Sequence, residues 1–119
     1  MKMSVGVDSI EIARIARCLE REHFVGRVYS AAERRMLAKR GMPAQTAAGY
    51  FAAKEAFAKA LGTGVRGFAL SEVSVEYNPL GQPVLVLSGR AKRLAGWRSF
   101  ALSITHTKTT ATAIVVSYR

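Results

Sequence analysis

Residues 51–64 read FAAKEAFAKALGTG, a run of alanines, phenylalanines and a leucine that ends in two glycines. Alanine and leucine favour a helix, and a glycine directly after the last apolar residue predicts where that helix ends. The phenylalanines can pack the helix inward and so hold Glu55 on a rigid element, which suits a metal ligand. Glu55 and Lys59 lie four residues apart on one helix face, a spacing that is also typical of an exposed ion pair.

Patterns on both sides of this run predict an α+β chain, with N-terminal helices packed on an antiparallel sheet. The predicted elements are a strand over 3–7, a first helix that includes residues 12–21, a short helix opened by a capping box at 30–33, the long helix over 44–61, a hairpin of strands over 73–77 and 84–87, a helical segment over 89–96, and strands over 100–104 and 111–116. No linker or repeat interrupts them. We therefore expect a single domain over residues 1–119.

Composition narrows the class of protein. No apolar run approaches the roughly 20 residues that cross a bilayer, and no hydrophobic signal segment stands at the N-terminus, so we expect a cytoplasmic protein. Cys18 is the only cysteine, which excludes an intrachain disulfide and a cysteine metal cage. The net charge of +10 predicts attraction to polyanions such as nucleic acid, acidic lipid, a phosphate-bearing cofactor or an acidic protein.

Asp8, the only aspartate, stands where the first predicted strand meets the first predicted helix. The position suits a helix N-cap, with Glu11 completing a capping box, and it also suits a metal ligand. Asp8 and Glu55 together would offer two carboxylates from separate elements. Magnesium commonly takes one or two protein carboxylates and completes its shell with water and phosphate. The pair therefore suggests a magnesium site for a phosphate-bearing substrate, with Lys59 close by to attract the phosphate.

Two other polar segments each have more than one interpretation. His106 lies in a polar connection between the last two predicted strands, where it is an ordinary loop histidine, a phosphate contact through its ring N–H, or, with no serine and acid partner evident, an activator of a nucleophile. Residues 62–64 either end the long helix or cradle a phosphate, but they lack the lysine and serine or threonine of a P-loop.

Three arginines recur on one face of the predicted first helix: Arg14, Arg17 and Arg21. Such a basic ridge is either a solvated face or a dock for an acidic partner. It also supports a different class of function, a non-catalytic basic module that binds nucleic acid or an acidic protein.

Four segments, in this order, resemble those of the holo-acyl carrier protein synthase family and span nearly the whole chain: GVDSIEIAR at 6–14, FAAKEAFAKALGTG at 51–64, GQP at 81–83 and SITHT at 103–107. The FAAKEA element downstream of a Gly-x-Asp is the specific part. The resemblance implies a phosphopantetheinyl transferase-like fold and a magnesium-dependent enzyme. Its implied reaction moves the phosphopantetheine arm of coenzyme A to a serine of apo-acyl carrier protein and releases adenosine 3′,5′-bisphosphate.

The resemblance also implies roles for individual residues. Asp8 and Glu55 would hold Mg²⁺, and Lys59 would offset charge on the transferring phosphoryl group. The acceptor of the serine proton stays open between water of the metal shell, Glu55 and another carboxylate. Coenzyme A contacts, shared across the interfaces of a homotrimer, would come from Lys59, Gly81, Pro83, His106 and Thr107.

The acidic carrier protein would dock on the basic ridge and its aromatic neighbours: Arg14, Arg17, Arg21, Phe24, Arg27 and Phe51. We expect no membrane partner and no specific nucleic acid. Two positions depart from the family pattern, since Tyr50 stands where a basic phosphate contact is common and Gln82 replaces a familiar lysine.

Overall fold

The structure, a computed structural model, describes residues 2–119. Its elements are β1 (Met3–Glu11), α1 (Ile12–Cys18), α2 (Glu22–Val28), α3 (Ala31–Lys39), α4 (Ala44–Leu61), β2 (Val73–Tyr77), β3 (Pro83–Leu87), α5 (Gly89–Ala95), β4 (Ser99–His106) and β5 (Thr110–Tyr118). The α+β class is confirmed, and so are the long helix, the hairpin and the helical segment after it. Among the described residues no helix is both long and apolar enough to cross a bilayer.

Two antiparallel sheets organise these elements. In the larger sheet β5 lies between β1 and β4, so both ends of the chain meet there, and β2 and β3 form the smaller sheet. Alternate residues of β5 are buried on the face that packs against α4: Ala111, Ala113, Val115 and Ser117. The alanines of α4 and β5 keep helix and sheet close together, and this layer forms the core.

Gly6 allows β1 and α4 to approach closely. A Cβ at residue 6 would lie against the Ala56 carbonyl oxygen and 2.6 Å from the Ala60 amide nitrogen. Side chains wider than hydrogen are therefore excluded at this crossing. α4 then ends at Gly62, whose φ of 86° is left-handed, as the helix-stop interpretation predicts.

β1 is longer than the sequence predicts, which changes the position of Asp8. Residues 8–11 pair with residues 110–113 of β5. Asp8 is therefore a mid-strand residue, and the N-cap interpretation is wrong, since α1 starts after Glu11 without a side-chain cap. Local sequence could not reveal this extension because the pairing strand lies at the far end of the chain.

The predicted first helix is divided in two. α1 ends at Cys18, where the N–H groups of Glu20 and Arg21 bond to carbonyl oxygens three residues back, as in a tight terminal turn. Arg14 and Arg17 lie on α1, whereas Arg21 directly precedes α2. The prediction of three arginines on one helix is wrong, because this break has neither a proline nor a glycine to mark it.

A buried ion pair joins α3 and α4. Lys54 Nζ lies 2.6 Å from Glu33 Oε1, and both side chains are fully buried. Lys54 also donates to the carbonyl oxygens of Leu70 and Val73, while Glu33 Oε2 accepts from the Val75 N–H. Burial lowers the pKa of Lys54, and the charge of Glu33 opposes that shift. The capping box that the sequence predicts at the start of α3 is confirmed, and Glu33 is its glutamate.

Candidate active site

Asp8 and Glu55 line one cavity between β1, the start of α1 and α4. Its volume is about 260 Å³, and its lining residues are Asp8, Ser9, Ile10, Glu11, Arg14, Phe51 and Glu55. The Asp8 side chain is 19% exposed and Glu55 is half-buried, so both carboxylates are within reach of a ligand. The close crossing of β1 and α4 at Gly6 accounts for this juxtaposition.

Lys59 contacts the strand rather than its helix neighbour. Its Nζ donates to the Val7 carbonyl oxygen at 2.9 Å and to Asp8 Oδ1 at 3.3 Å, and 56% of the side chain is exposed. The surface pair with Glu55 that the four-residue spacing allows is thus replaced by an ion pair between α4 and β1. Lys59 thus engages one oxygen of Asp8 and keeps a positive charge beside this carboxylate.

The two carboxylates influence each other. Burial, and next the charge of Asp8, raise the pKa of Glu55, while Lys59 and Arg14 oppose the shift. Acid groups that repel each other in this way are stabilised by a cation, and carboxylate oxygens are the donors that magnesium prefers. Within residues 2–119 no group of three or more His, Cys, Asp or Glu side chains is placed to hold a metal. A cation bound by Asp8 and Glu55 would therefore need further ligands from water or substrate.

A second cavity, of about 270 Å³, contains two of the five residues that the sequence assigns to coenzyme A, Pro83 and His106. Its lining includes Arg40, Gln45, Tyr50, Tyr77, Pro83 and His106. The hydroxyls of Tyr50 and Tyr77 are 3.0 Å apart, and burial followed by this hydrogen bond raises the pKa of Tyr50. Tyr50 occupies the position where the family pattern commonly has a basic residue. Arg40, which the sequence did not predict, lines the same cavity and places a cation there.

His106 is the last residue of β4 and not part of the connecting loop, so that prediction is wrong. His106 pairs with Ala111 of β5, and this pairing extends β4. The Nδ1 atom of His106 donates to the Thr107 carbonyl oxygen at 3.2 Å, and its Nε2 atom lies 2.8 Å from the side-chain nitrogen of Gln45. Both ring nitrogens are engaged, and the imidazole closes one side of the second cavity.

Gly81 and Thr107 lie outside both cavities, in two exposed hairpin turns. Gly81 has a φ of 83°, and the Asn78 side chain holds the turn through the N–H groups of Leu80 and Gln82. Gln82 is exposed beside it. The two cavities share no lining residue, but both border α4, so this helix connects them.

The residues assigned to carrier binding divide between two neighbouring places. Arg14 and Phe51 line the carboxylate cavity, whereas Arg21, Phe24 and Arg27 line a cleft of about 580 Å³. The Phe24 and Phe51 rings stack with centroids 6.2 Å apart, which joins the two places into one surface. Arg17 is exposed on α1.

Comparison with known proteins gives consistent results. Residues 4–114 match the 4′-phosphopantetheinyl transferase superfamily, ACPS. The holo-[acyl-carrier-protein] synthase of Caldanaerobacter subterraneus subsp. tengcongensis is 40% identical over 121 residues, which cover 98% of this chain and 95% of that protein.

Solved structures are similar over nearly the whole chain. The holo-[acyl-carrier-protein] synthase of Neisseria meningitidis has a TM-score of 0.89 at 30% identity and 98% coverage of both chains. The Helicobacter pylori enzyme, solved in complex with coenzyme A, has a TM-score of 0.83 at 30% identity, with 96% of this chain and 99% of that chain covered.

Proposed function

This chain belongs to the holo-[acyl-carrier-protein] synthase family, and we propose that Asp8, Glu55 and Lys59 carry out its reaction. The enzyme transfers the phosphopantetheine arm of coenzyme A to a serine of apo-acyl carrier protein. One observation carries the assignment of residues: carboxylates from β1 and α4 line one cavity, and Lys59 contacts one of them, Asp8. A non-catalytic basic module would need neither carboxylate.

Asp8 and Glu55 are suited to hold Mg²⁺. They present carboxylate oxygens from β1 and α4. Burial, and next the charge of Asp8, raise the pKa of Glu55, and a bound cation would favour its ionised form. Magnesium bound there would neutralise the pyrophosphate of coenzyme A and the charge that develops on the transferring phosphoryl group. Lys59 orients Asp8 and attracts the phosphates, and Arg14 adds a second cation at the cavity wall.

Magnesium dependence tests this assignment. The full-length protein is incubated with coenzyme A and apo-acyl carrier protein, and the mass of the carrier is followed. We expect the added arm to appear with magnesium, to be absent with excess chelator, and to return when magnesium is restored. Transfer that continues unchanged in chelator would remove magnesium from the proposal and leave the family assignment intact.

For coenzyme A, we propose that the second cavity supplies the contacts of the nucleotide end. Pro83 and His106 already line it, and Arg40 provides the positive charge that Tyr50 cannot. Gly81 and Thr107 would contribute from the turns beside Pro83 and His106. Because this cavity and the carboxylate cavity are separate on one chain, a neighbouring copy that brings its second cavity to the first would complete the site.

The outer face of the larger sheet supports a homotrimer. Met3, Val5 and Val7 on β1 are 66%, 59% and 52% exposed, and Ile114 and Tyr118 of β5 are exposed on the same face. An apolar sheet face of this kind is typical of a subunit interface. We propose that three copies cover these faces mutually and place the active sites between them.

The variant Val5→Asp tests the trimer. A carboxylate at the centre of an apolar interface would be buried without a partner, so we expect monomers and a loss of most activity at assay concentration. Sedimentation measures the mass and the carrier assay measures activity. Val86→Asp is the matched control, because Val86 is 45% exposed on the other sheet. A monomer with full activity would defeat the trimer proposal.

We propose that the carrier protein docks on the surface that runs from Arg14 and Arg17 to Arg21 and Arg27. All four side chains are exposed, and the stacked rings of Phe24 and Phe51 lead from this surface to the carboxylate cavity. Carrier proteins are acidic, so the charges are complementary. The four arginines are spread over α1, the residue before α2, and α2, so the proposed surface is broader than one helix face.

Charge reversal at Arg21 tests the dock. We expect Arg21→Glu to raise the Michaelis constant for the carrier on the order of tenfold and to weaken its salt dependence, because steering by exposed charges is screened within about 8 Å at physiological salt. The constant for coenzyme A should stay near its original value. Arg35→Glu, on α3, is the control. If both constants move together, or neither moves, the surface is not the dock.

A further inference from the structure

The last part of the chain is uniformly basic. After Glu76 every charged side chain is cationic, and four of them fall within residues 90–98: Arg90, Lys92, Arg93 and Arg98. The carboxylate of Glu72 accepts hydrogen bonds from the N–H groups of Ala69 and Arg90, so it is engaged by the backbone. Neither ion pair in the described part of the chain involves these four cations, and of the four only Arg98 is partly buried, where it donates to the Leu61 carbonyl oxygen.

Helix α5 directs its long side chains away from the protein. Ala91 and Ala95, four residues apart, are buried and seat the helix on the body. Lys92, Arg93 and Trp97 line a shallow depression of about 460 Å³ together with two glycines. Arg90 and Leu94 flank it, and both are exposed.

Two apolar side chains stand among these cations. Trp97 is 89% exposed and Leu94 is 44% exposed. An exposed tryptophan beside leucine, lysine and arginine is the composition of segments that lie in the interface of a bilayer, where the indole occupies the headgroup region and the cations meet anionic lipid. A nucleic-acid backbone would satisfy the cations but would leave Leu94 in water.

We propose that the α5 face, formed by Arg90, Lys92, Arg93, Leu94 and Trp97, docks the protein on the surface of membranes that contain anionic phospholipid. From the sequence we expect no membrane partner, although the net charge of +10 would attract acidic lipid. The placement of these residues on one outward face changes that expectation for a bilayer surface, and it does so independently of the catalytic assignment. The α5 face shares no residue with the surface proposed for the carrier.

Trp97 makes the proposal directly measurable because it is the only tryptophan in the chain. The full-length protein is mixed with vesicles of equal parts phosphatidylglycerol and phosphatidylcholine, or of phosphatidylcholine alone. With the anionic vesicles we expect tryptophan emission to shift to shorter wavelength and the protein to sediment with the lipid. With neutral vesicles neither should occur.

Two double variants separate the α5 face from the general charge of the protein. Lys92→Glu with Arg93→Glu should lower partitioning into anionic vesicles by about 30-fold or more, because each cation near such a surface contributes substantially to binding. Arg35→Glu with Lys39→Glu makes the same charge change on α3 and should have a much smaller effect. Equal losses in both variants would overturn the proposal in favour of non-local attraction.

Two further outcomes would also overturn it. One is sedimentation with anionic vesicles without any change in Trp97 emission, which would place the contact elsewhere. The other is an emission change with single-stranded RNA and none with vesicles, which would assign the α5 face to nucleic acid.

Discussion

Asp8→Asn and Glu55→Gln are each expected to lower phosphopantetheine transfer by at least about 100-fold while the protein stays folded. Each change replaces an anionic oxygen by a neutral amide at a cavity where the substrate brings a pyrophosphate. The carboxylate that remains would hold the cation more weakly. Initial rates with apo-acyl carrier protein at saturating coenzyme A, measured over a range of magnesium concentrations, give the effect of each change.

Stability separates lost chemistry from lost folding. Because burial and Asp8 raise the pKa of Glu55, ionisation of Glu55 opposes folding of the metal-free protein. This cost is absent below the ordinary pKa of glutamate and develops as the pH rises through the raised value. Glutamine does not ionise, so metal-free Glu55→Gln should be at least as stable as the original protein at neutral pH. Magnesium should raise the melting temperature of the original protein and of neither variant.

A neutralised glutamate elsewhere provides the control. Glu76→Gln on β2, outside the residues that line the carboxylate cavity, should keep its rate and its response to magnesium. Near-normal turnover by Asp8→Asn at limiting magnesium would remove Asp8 from the metal site, and the same result for Glu55→Gln would remove Glu55.

Local signals in the sequence were sufficient for some elements. The capping box of α3, the bounds of α4 and the turn before β3 were predicted because serine, glycine and proline act on the residues beside them. Asp8 and Glu55 could be paired because each stands in a distinctive motif. They meet at one cavity because β1 and α4 cross closely at Gly6. The sequence shows a glycine at this position but not the helix that packs against it.

Long-range pairing explains what the sequence could not show. β1 continues past Asp8, and β4 includes His106, because each gains a partner in β5. The break between α1 and α2 follows from tertiary packing without a local stop signal. Arg40 reaches the second cavity from the end of α3, and no spacing rule connects it with Pro83 or His106.

Lys54 is the clearest example of a residue whose role depends on burial. It stands beside Glu55 in the FAAKEA motif, and the sequence alone assigns it no role. In the structure its side chain has no exposed surface, and its three N–H donors are occupied by Glu33 and two backbone carbonyl groups. We therefore expect Lys54 to determine stability and to have no direct contact with the substrate.

Lys54→Met is accordingly expected to lower the free energy of unfolding by about 3–5 kcal/mol, since it leaves the Glu33 carboxylate buried without its partner charge. Urea unfolding at a fixed protein concentration measures the change, because the proposed self-association would make stability depend on concentration. Lys39→Met removes an exposed lysine and should change stability by less than about 0.5 kcal/mol.

The double variant Glu33→Gln with Lys54→Met distinguishes the buried charge from the lost packing. With no charge left to bury, the desolvation cost disappears, and much of the stability lost in Lys54→Met should return. Below its unfolding transition Lys54→Met should keep the Michaelis constants of the original enzyme, since the cavity residues are unchanged. A small loss of stability combined with a large loss of turnover would instead show that the lysine acts in the reaction, through a rearrangement that exposes it.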